Sequence, residues 1–348
     1  MRRIARIIAI LIGIVAGFLL LFILYAETTA FRPEQYASLY KNEQPDSLRK
    51  GAVFSIMTWN LGYAGLGDDM DFFFDGGRQV RTTYDRTLAN LEAIRSYIGS
   101  RDDIHFFFFQ EADKHSKRSY RIHLPDSLKK TLMDFTHGFA LNYRVGYVPV
   151  PLYAPMGKVA SGLATASRWQ PSEMKRVSLP GNYPWPERLF NLKRCILVSR
   201  HPVSNGKDLV LINTHNSAFD DGDLRQLQME YMRELMLEEY EKGHYVIAGG
   251  DFNQCPPDFV PKFEYNLFDT TDLMYLSEDL LPGWHIVYDQ STPTNRRLLE
   301  PYDASSTKTT LIDFFIASPN IDPIGVEGVH LGFIHSDHNP VAATFKLQ

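Results

Sequence analysis

The chain has 348 residues, 44% of them hydrophobic and 22% charged, and its net charge is −5. This composition is typical of a globular protein, and the length allows one large domain or two smaller ones. Cys195 and Cys255 are the only cysteines. Two cysteines so far apart give neither a disulfide framework nor a zinc cluster, so we expect two free buried thiols, with pairing outside the cytoplasm as the alternative.

The first segment differs from the rest of the chain. Residues 7–26 carry no charge; three arginines precede them and Glu27 follows. About 20 apolar residues cross a bilayer core, and a basic flank tends to stay in the cytoplasm. We therefore predict that residues 1–26 are an uncleaved transmembrane anchor, with everything after them on the periplasmic or extracellular side. A cleaved signal peptide is the alternative, although its apolar region usually spans only about 7–15 residues.

Without the anchor the chain is clearly acidic. Residues 1–26 contain three arginines and no acid, so 33 basic residues (36 − 3) and 41 acidic residues remain, a net charge of −8. Nucleic-acid-binding domains usually carry a basic surface, because neutralising phosphates dominates their affinity. The composition therefore does not favour a nucleic-acid partner.

Strand-like apolar runs dominate the chain after a polar segment at 27–51, which we assign to a spacer between membrane and domain. The runs lie at 53–60, 104–110, 138–147, 162–167, 194–199, 208–214, 245–250, 285–289, 311–317 and 341–346. Helical spacing predicts two helices. In 82–98 the apolar positions are Leu88, Leu91, Ile94 and Ile98. In 223–241 they are Leu224, Leu227, Tyr231 and Leu235, and Asp223 is the expected N-cap. No break divides residues 52–348, and mostly strands with a few helices predict one α/β layered sandwich built on two sheets.

Several predicted strands end in a side chain that can bind a metal ion or a phosphate. These residues are Asn60, Glu111, His215, Asp251, Asn253, Asp313, Asp337 and His338. Each has an ordinary alternative, since a strand-end Asn is commonly a turn residue and an acid at a strand end is usually solvated. Asp313 is different, because a carboxylate inside the apolar run "LIDFF" is unfavourable unless it is paired. We expect His338 or another imidazole to be that partner.

The motifs "TWN", "QE", "SGLATAS", "NTHN", "GGDFN", "ID" and "SDHNP" follow one another in the order found in a known superfamily. The chain resembles the endonuclease/exonuclease/phosphatase superfamily, which includes DNase I-like nucleases, bacterial sphingomyelinases and inositol polyphosphate phosphatases. The resemblance covers about residues 52–348. It implies a four-layer sandwich, in which two mostly antiparallel sheets pack face to face with helices outside, and it implies metal-assisted hydrolysis of a phosphoester.

The resemblance also implies a role for each motif residue. Glu111, Asn60 and Asp337 are the expected metal ligands, and their oxygen donors favour Mg²⁺ or Mn²⁺ over zinc. Asp251 with Asn253 is expected to orient and deprotonate the attacking water. The remaining catalytic residues are His338, steered by Asp313, as the rival base or a donor to the phosphate, and His215 as a donor to the phosphate or the leaving group.

The substrate is the least determined part of the prediction. The acidic domain and its anchor favour a lipid headgroup or a small phosphoester over nucleic acid, but an extracytoplasmic nuclease and an inactive surface binding module are both alternatives. The loop "DDMDFFFDGG" at 68–77 presents three Phe residues that contact lipid, line a substrate groove or fold into the core. Arg188, Lys193 and Arg194 are candidates for a phosphate site.

Overall fold

The apolar runs form the strands of two β-sheets in the computed structural model, which describes residues 2–218, 222–257, 259–260 and 273–348. Within these residues, the first sheet contains, in spatial order, β1 (Tyr36–Lys41), β6 (Glu173–Ser178), β7 (Cys195–Pro202), β8 (Asp208–His215), β9 (Tyr245–Asp251), β13 (Asp313–Ala317) and β10 (His285–Val287). The second contains β14 (Ile321–Gly328), β15 (Val341–Leu347), β2 (Val53–Asn60), β3 (Phe106–Asp113), β5 (Gly157–Ser167) and β4 (Thr136–Val148). A separate pair joins β11 (Asn295–Arg296) to β12 (Thr309–Thr310). Neighbours are antiparallel except β2 with β3 and β8 with β9, which are parallel.

The two sheets pack face to face around an aromatic and aliphatic core. Phe54, Phe106 and Phe345 from the second sheet meet Leu211 and Phe315 from the first, and all five are fully buried. Helices α2 (Tyr84–Gly99) and α3 (Leu124–Thr131) cover the outer face of the second sheet, and α4 (Asp223–Glu241) covers the outer face of the first. This arrangement of helix, sheet, sheet and helix confirms the predicted four-layer sandwich.

The helices form where the spacing predicted them, but their buried faces are not wholly the predicted ones. On α2, Leu91, Ile94 and Ile98 are buried as expected, whereas Leu88 is 39% exposed. On α4 the buried apolar side chains are Met229, Met232 and Met236. Of the predicted residues, Leu227 is 42% exposed, and the other three, Leu224, Tyr231 and Leu235, are half-buried. The sequence has two apolar faces here, and packing on the sheet selects one of them.

The N-terminus of α4 also corrects a prediction. The N-cap is Gly222, in the left-handed region with φ +103°, and not Asp223, which is the first helical residue. Asp223 still places a negative charge in the first turn, where it interacts favourably with the helix dipole. Glycine adopts this φ without the steric penalty that a side chain would meet.

The segment at 27–51, assigned to a spacer, contributes strand β1 to the edge of the first sheet. Residues Tyr36–Lys41 pair antiparallel with β6, and only Ala37, Leu39 and Tyr40 of β1 are partly covered. Strands β6 and β14, which the sequence analysis did not identify, also lie near or at sheet edges. Edge strands are short and partly solvated, so their residues lack the continuous apolar pattern of central strands.

Helix α1 (Arg2–Thr28) precedes the sandwich and is long and apolar enough to cross a membrane. The most apolar part of this helix is not buried by the rest of the protein. Near its C-terminal end, the Phe22 ring stacks on Phe190 at a centroid distance of 5.6 Å and contacts Tyr147 edge-on at 6.3 Å. The helix therefore meets the sandwich at one well-defined place.

Cys195 and Cys255 are both free and buried, as expected. Burial raises the pKa of each thiol to about 11. Both cysteines are therefore neutral packing residues at physiological pH.

Candidate active site

Three of the candidate residues form a row across the first sheet. His215 ends β8 and pairs with Asp251 at the end of the parallel strand β9. Asp251 in turn pairs with Asp313, the first residue of the antiparallel strand β13. His215 and Asp313, 98 positions apart in sequence, thus lie on either side of Asp251 at one end of these strands.

Gly250 allows β8 and β9 to approach at this row. Its φ is +145°, and a Cβ atom there would lie 2.1 Å from the Thr214 carbonyl oxygen. Any side chain would therefore force the strands apart next to Asp251. This close approach explains why a glycine precedes the acid in "GGDFN".

The second sheet contributes Asn60 and Glu111 to the same place. Asn60 ends β2, and its Nδ2 donates to Asp251 Oδ2 at 3.0 Å, joining the two sheets. Glu111 lies in a bulge of β3, where its φ of +53° is in the left-handed region. A bulge redirects a side chain that would otherwise follow the strand alternation, and such strained positions concentrate at functional sites.

The loop before β15 completes the cavity with Asp337 and His338. The Trp59 indole donates to the His338 carbonyl oxygen at 2.9 Å, and the Arg296 amide donates to the Asp337 carbonyl oxygen at 3.1 Å. The resulting cavity of about 540 Å³ is lined, among others, by Asn60, Glu111, His215, Asp251, Asn253, Asp337 and His338. The structure thus brings together the predicted site residues, with Asp313 directly behind His338.

His338 is held between carboxylates. Its Nδ1 lies 2.8 Å from Asp313 Oδ2, and its Nε2 lies 3.7 Å from Asp251 Oδ2 and 4.0 Å from Asp337 Oδ2. Burial lowers the pKa of His338, but the three acids outweigh burial and raise it to about 10. The Asn295 amide meets Nε2 at 2.9 Å. The predicted Asp313–His338 pairing is therefore present, and it favours an imidazolium.

Asp251 is enclosed by donors. The backbone amide of Asn253 donates to Asp251 Oδ1 at 2.9 Å, and His215 Nε2 lies 3.4 Å from Oδ2. Burial, together with nearby Asp313, raises the pKa of Asp251 to about 6. Burial, reinforced by the charge of Arg194, lowers the pKa of His215 well below its usual value, so His215 is a neutral imidazole at physiological pH.

Glu111 and Asp337 form the acidic side of the cavity. Burial raises the pKa of both carboxyls, and Asp337 further raises that of Glu111, which Arg118 opposes. Glu111 Oε1 and Asp337 Oδ2 accept no hydrogen bond from the residues that the structure describes. Two carboxylates with unused oxygens therefore line a cavity that Asn60 also lines, and oxygen donors of this kind fit a hard divalent cation.

A second group of potential ligands lies deeper in the site. Atoms of Asp251, Asp313 and His338 lie within 4.8 Å of one another, and all three residues are buried. The short contact from His338 to Asp313 already uses one nitrogen and one carboxylate oxygen of this group. Its geometry is that of a hydrogen-bonded acid–imidazole pair facing a second acid.

Sequence reasoning missed the residues that hold this site in place. Arg118 binds both oxygens of Asp113, at 2.9 and 3.0 Å, lies 3.4 Å from Glu111, and stacks on Tyr63 at 3.9 Å. Arg118 and Asn295 lie outside every motif, so no local signal marks them.

A buried polar bridge lies directly beneath the site. Gln110 Nε2 donates to Asn213 Oδ1 of the opposite sheet at 2.8 Å and to Thr58 Oγ1 at 3.1 Å. Asn213 Nδ2 donates to the Ala164 carbonyl oxygen at 3.0 Å. Gln110 and Asn213 stand in the motifs "QE" and "NTHN", so the sequence contained their signal, although no role was assigned to them.

The three Phe side chains of the loop at 68–77 pack in two different places. Phe72 and Phe74 line the candidate active-site cavity, whereas Phe73 packs against a cluster that contains Val80 and Tyr143. The loop therefore serves both as a wall of the cavity and as part of the core. Of the basic candidates, Arg194 lines this cavity and donates to the His215 carbonyl oxygen at 3.3 Å.

Comparison with known proteins supports the fold and the family. The model of the Endonuclease/Exonuclease/phosphatase family matches residues 57–338. A search of curated protein sequences finds no match to the chain. Among solved structures, the chain is similar to an endonuclease/exonuclease/phosphatase family protein from Leptotrichia buccalis, with a TM-score of 0.55 and 15% identity over 84% of this chain and 99% of the other.

Two further structures carry more specific names. One is TDP2 from D. rerio complexed with single strand DNA product, with a TM-score of 0.52 and 15% identity over 84% of this chain and 99% of that one. The other is ANGEL2, named as a 2',3'-cyclic phosphatase, with a TM-score of 0.51 and 15% identity over 90% and 99% of the two chains. Identities this low show a shared fold alone. The family match spans well over half of the sequence, and the chain belongs to the endonuclease/exonuclease/phosphatase family.

Proposed function

We propose that this protein is a divalent-metal-dependent phosphoester hydrolase, anchored by α1 with its catalytic domain outside the cytoplasm. The observation that carries the proposal is the single cavity that collects acids, imidazoles and amides from both sheets and from the loop before β15. Hydrolysis of a phosphoester needs a cation, donors to the phosphoryl oxygens and a positioned water. The cavity contains residues for each requirement.

Glu111, Asp337 and Asn60 would hold the cation, Mg²⁺ or Mn²⁺. Bound there, it would polarise a phosphoryl oxygen and stabilise charge on the leaving oxygen. Arg118 positions Glu111 for this role, because its guanidinium is itself fixed by two hydrogen bonds to buried Asp113. The cation would also lower the raised pKa values of the acids around it.

Asp251 is the proposed base that orients the attacking water and accepts its proton. The hydrogen bonds from the Asn60 side chain and the Asn253 amide fix its carboxylate, and its raised pKa brings it closer to the pH at which a base is most effective. His338 is the weaker candidate for the base, because Asp313, Asp337 and Asp251 outweigh burial and raise its pKa to about 10, which keeps the imidazole protonated. We assign His338 and neutral His215 as donors to the phosphoryl oxygens.

A lipid headgroup or a small phosphoester is the favoured substrate. The part of the chain after residue 26 has a net charge of −8, and Phe72 and Phe74 give the cavity an apolar wall. A nuclease activity is the second candidate, supported by the D. rerio structure of the same fold, which is complexed with single strand DNA product. The acidic charge of the domain argues against it, since phosphate backbones are usually bound by basic surfaces.

The test is a substrate panel with the full chain in neutral lipid nanodiscs. With Mg²⁺ present, we expect turnover of a lipid phosphodiester or a chromogenic phosphodiester, and no turnover of plasmid DNA. EDTA should abolish the activity, and Asp251→Asn should lower the rate by about 10²–10⁴-fold, whereas Asp134→Asn, at an exposed position, should not. Activity that persists in EDTA would remove the cation from the mechanism. A folded protein that hydrolyses nothing on the panel would overturn the hydrolase proposal.

The orientation is tested separately. A reporter enzyme that is active only outside the cytoplasm, fused to the C-terminus of the full chain, should be active in intact cells. An inactive reporter on a stably produced fusion would overturn the proposed topology.

A further inference from the structure

A second cavity lies where α1 meets the sandwich. Its volume is about 640 Å³. One wall comes from the segment that directly follows the apolar part of α1, including Glu27 and Phe31, and the other comes from 178–194 together with Arg144 of β4. It is lined by Arg188, Lys193 and Arg194, the three basic residues that the sequence offered as candidates for a phosphate site.

The cavity is strongly basic. Arg144, Arg188, Lys193 and Arg194 line it, and none of them forms an ion pair with a residue in the described part of the chain. The Lys193 ammonium donates to two neutral oxygens, Asn182 Oδ1 at 2.7 Å and the Arg188 carbonyl at 3.0 Å. Burial lowers the pKa of Lys193, and the charge of Arg188 lowers it further. Arg32 and Glu27, which also line the cavity, pair with each other, and the remaining basic residues give the cavity an excess of positive charge. Such an excess favours an anionic ligand.

The wall next to the anchor is fixed by hydrogen bonds to the sheet. Gln35 Nε2 donates to the Ser178 carbonyl oxygen at 3.0 Å, and Ser178 Oγ donates to the Glu34 carbonyl oxygen at 2.9 Å. The Arg176 guanidinium donates to the same Glu34 oxygen at 3.3 Å. These contacts hold the chain that leaves α1 against β6, so the cavity is a built feature of the fold.

The basic cavity adjoins the catalytic one. Asn191 and Arg194 line both. Arg194 also donates to the carbonyl oxygen of His215, one of the proposed phosphoryl donors. A ligand in the basic cavity therefore lies beside the proposed catalytic centre.

The basic cavity also lies at the depth expected of a membrane interface. Glu27 is the first charged residue after the apolar stretch of α1, and it lines the cavity. Tyr147, which contacts Phe22 of α1, is 42% exposed, and Trp185, in the segment that lines the cavity, is 55% exposed. Exposed Tyr and Trp side chains are enriched at the boundary between lipid and water.

We propose that the basic cavity is a subsite for a phosphate group on the headgroup of a membrane lipid, held beside the catalytic cavity. The inference rests on the anchored hydrolase proposed above and names the substrate class of that site. A lipid is favoured over a nucleic acid because the chain leaving the anchor forms one wall, so the cavity opens where lipid headgroups would lie.

Binding can be measured without hydrolysis. The full chain is placed in phosphatidylcholine nanodiscs with EDTA, and phosphatidic acid with brominated acyl chains is the only quencher of tryptophan fluorescence. Trp185 is the expected reporter, and Trp185→Phe should remove most of the quenching. Arg188→Gln/Lys193→Gln should raise the mole fraction for half-maximal quenching about tenfold. Lys129→Gln/Lys130→Gln removes the same charge from α3 and should leave it within about twofold.

Arg188→Lys/Lys193→Arg retains both charges and should behave like the wild type, which separates loss of charge from misfolding. Equal quenching by brominated phosphatidylcholine, or no shift in the charge-removing variant, would overturn the subsite. Relief of quenching by soluble glycerol 3-phosphate would assign the site to a free phosphoester instead, and relief by a single-stranded oligonucleotide would assign it to nucleic acid. Because this readout involves no turnover, its failure is distinct from failure of the hydrolase proposal.

Discussion

The space between the two sheets has two ends that are equally buried and chemically opposite. At the end where β2 and β3 begin, Phe54 and Phe106 pack edge-on at 5.6 Å, with Phe345 nearby. At the end where these strands finish, Gln110 and Asn213 meet across the same space through a hydrogen bond of 2.8 Å. The apolar end stabilises the fold, and the polar end carries the candidate active site.

The difference shows how the two ends respond to change. Apolar contacts are non-directional, so a lost side chain removes stability roughly in proportion to the cavity left behind. Buried polar groups need specific partners, so a single change leaves another group unsatisfied or alters its charge. Substitutions at the two ends should therefore separate stability from catalysis.

The largest stability effect is expected at the apolar end. Phe106→Ala removes a fully buried ring and should lower the free energy of unfolding by about 3–5 kcal/mol. Urea unfolding measures this, and the rate per folded molecule should stay unchanged. Ile324→Ala, at a side chain 57% exposed on β14, should change stability by less than about 1 kcal/mol. A large rate loss in the remaining folded Phe106→Ala protein would contradict the separation.

At the polar end, Asp251→Asn is expected to raise the free energy of unfolding at neutral and higher pH rather than lower it. The folded-state pKa of Asp251 is raised to about 6, so the stability from its protonated form is complete below the unfolded pKa of about 4. That stability is lost as pH rises through the folded pKa. In EDTA, the always-neutral Asn variant should therefore exceed the wild type by on the order of 2 kcal/mol at pH 8 and match it near pH 4. Thermal unfolding at both pH values measures this, with Asp134→Asn as control; a pH-independent difference would contradict the assignment.

The smallest expected effect is on Mn²⁺ affinity, and it tests whether the cation binds at Glu111 and Asp337 or at the group of Asp251, Asp313 and His338. Glu111→Gln should weaken Mn²⁺ binding at least about tenfold, or about 1.4 kcal/mol, because it removes a proposed ligand. Asp313→Asn should leave Mn²⁺ affinity within about twofold, since Asp313 is used by His338. Titration followed by electron paramagnetic resonance measures bound Mn²⁺ without any turnover. The reverse ranking would move the cation to the group of Asp251, Asp313 and His338.

Much of the fold was predictable because its central strands are continuous apolar runs. Residues 53–60 and 223–241 were predicted with the boundaries that β2 and α4 have. Edge strands β1 and β14 escaped prediction, since partly solvated strands lack that pattern. The buried face of α4 was not predicted for a related reason. The helix has two apolar stripes, and only its packing on the sheet decides that the stripe of methionines is buried.

By itself, the sequence determined which residue types end the central strands, and thereby the acids, imidazoles and amides of the candidate site. Only the tertiary structure decided that Arg118 contacts Glu111, that Asn295 contacts His338, and that five basic residues and Glu27 line one cavity beside α1. The physical reason is the separation along the chain of the residues that determine each feature. Backbone periodicity and strand-end chemistry depend on a few neighbouring residues. The partner of a buried polar group depends instead on how loops and strands are arranged in three dimensions, as for Asn60 and Asp251, which are 191 positions apart.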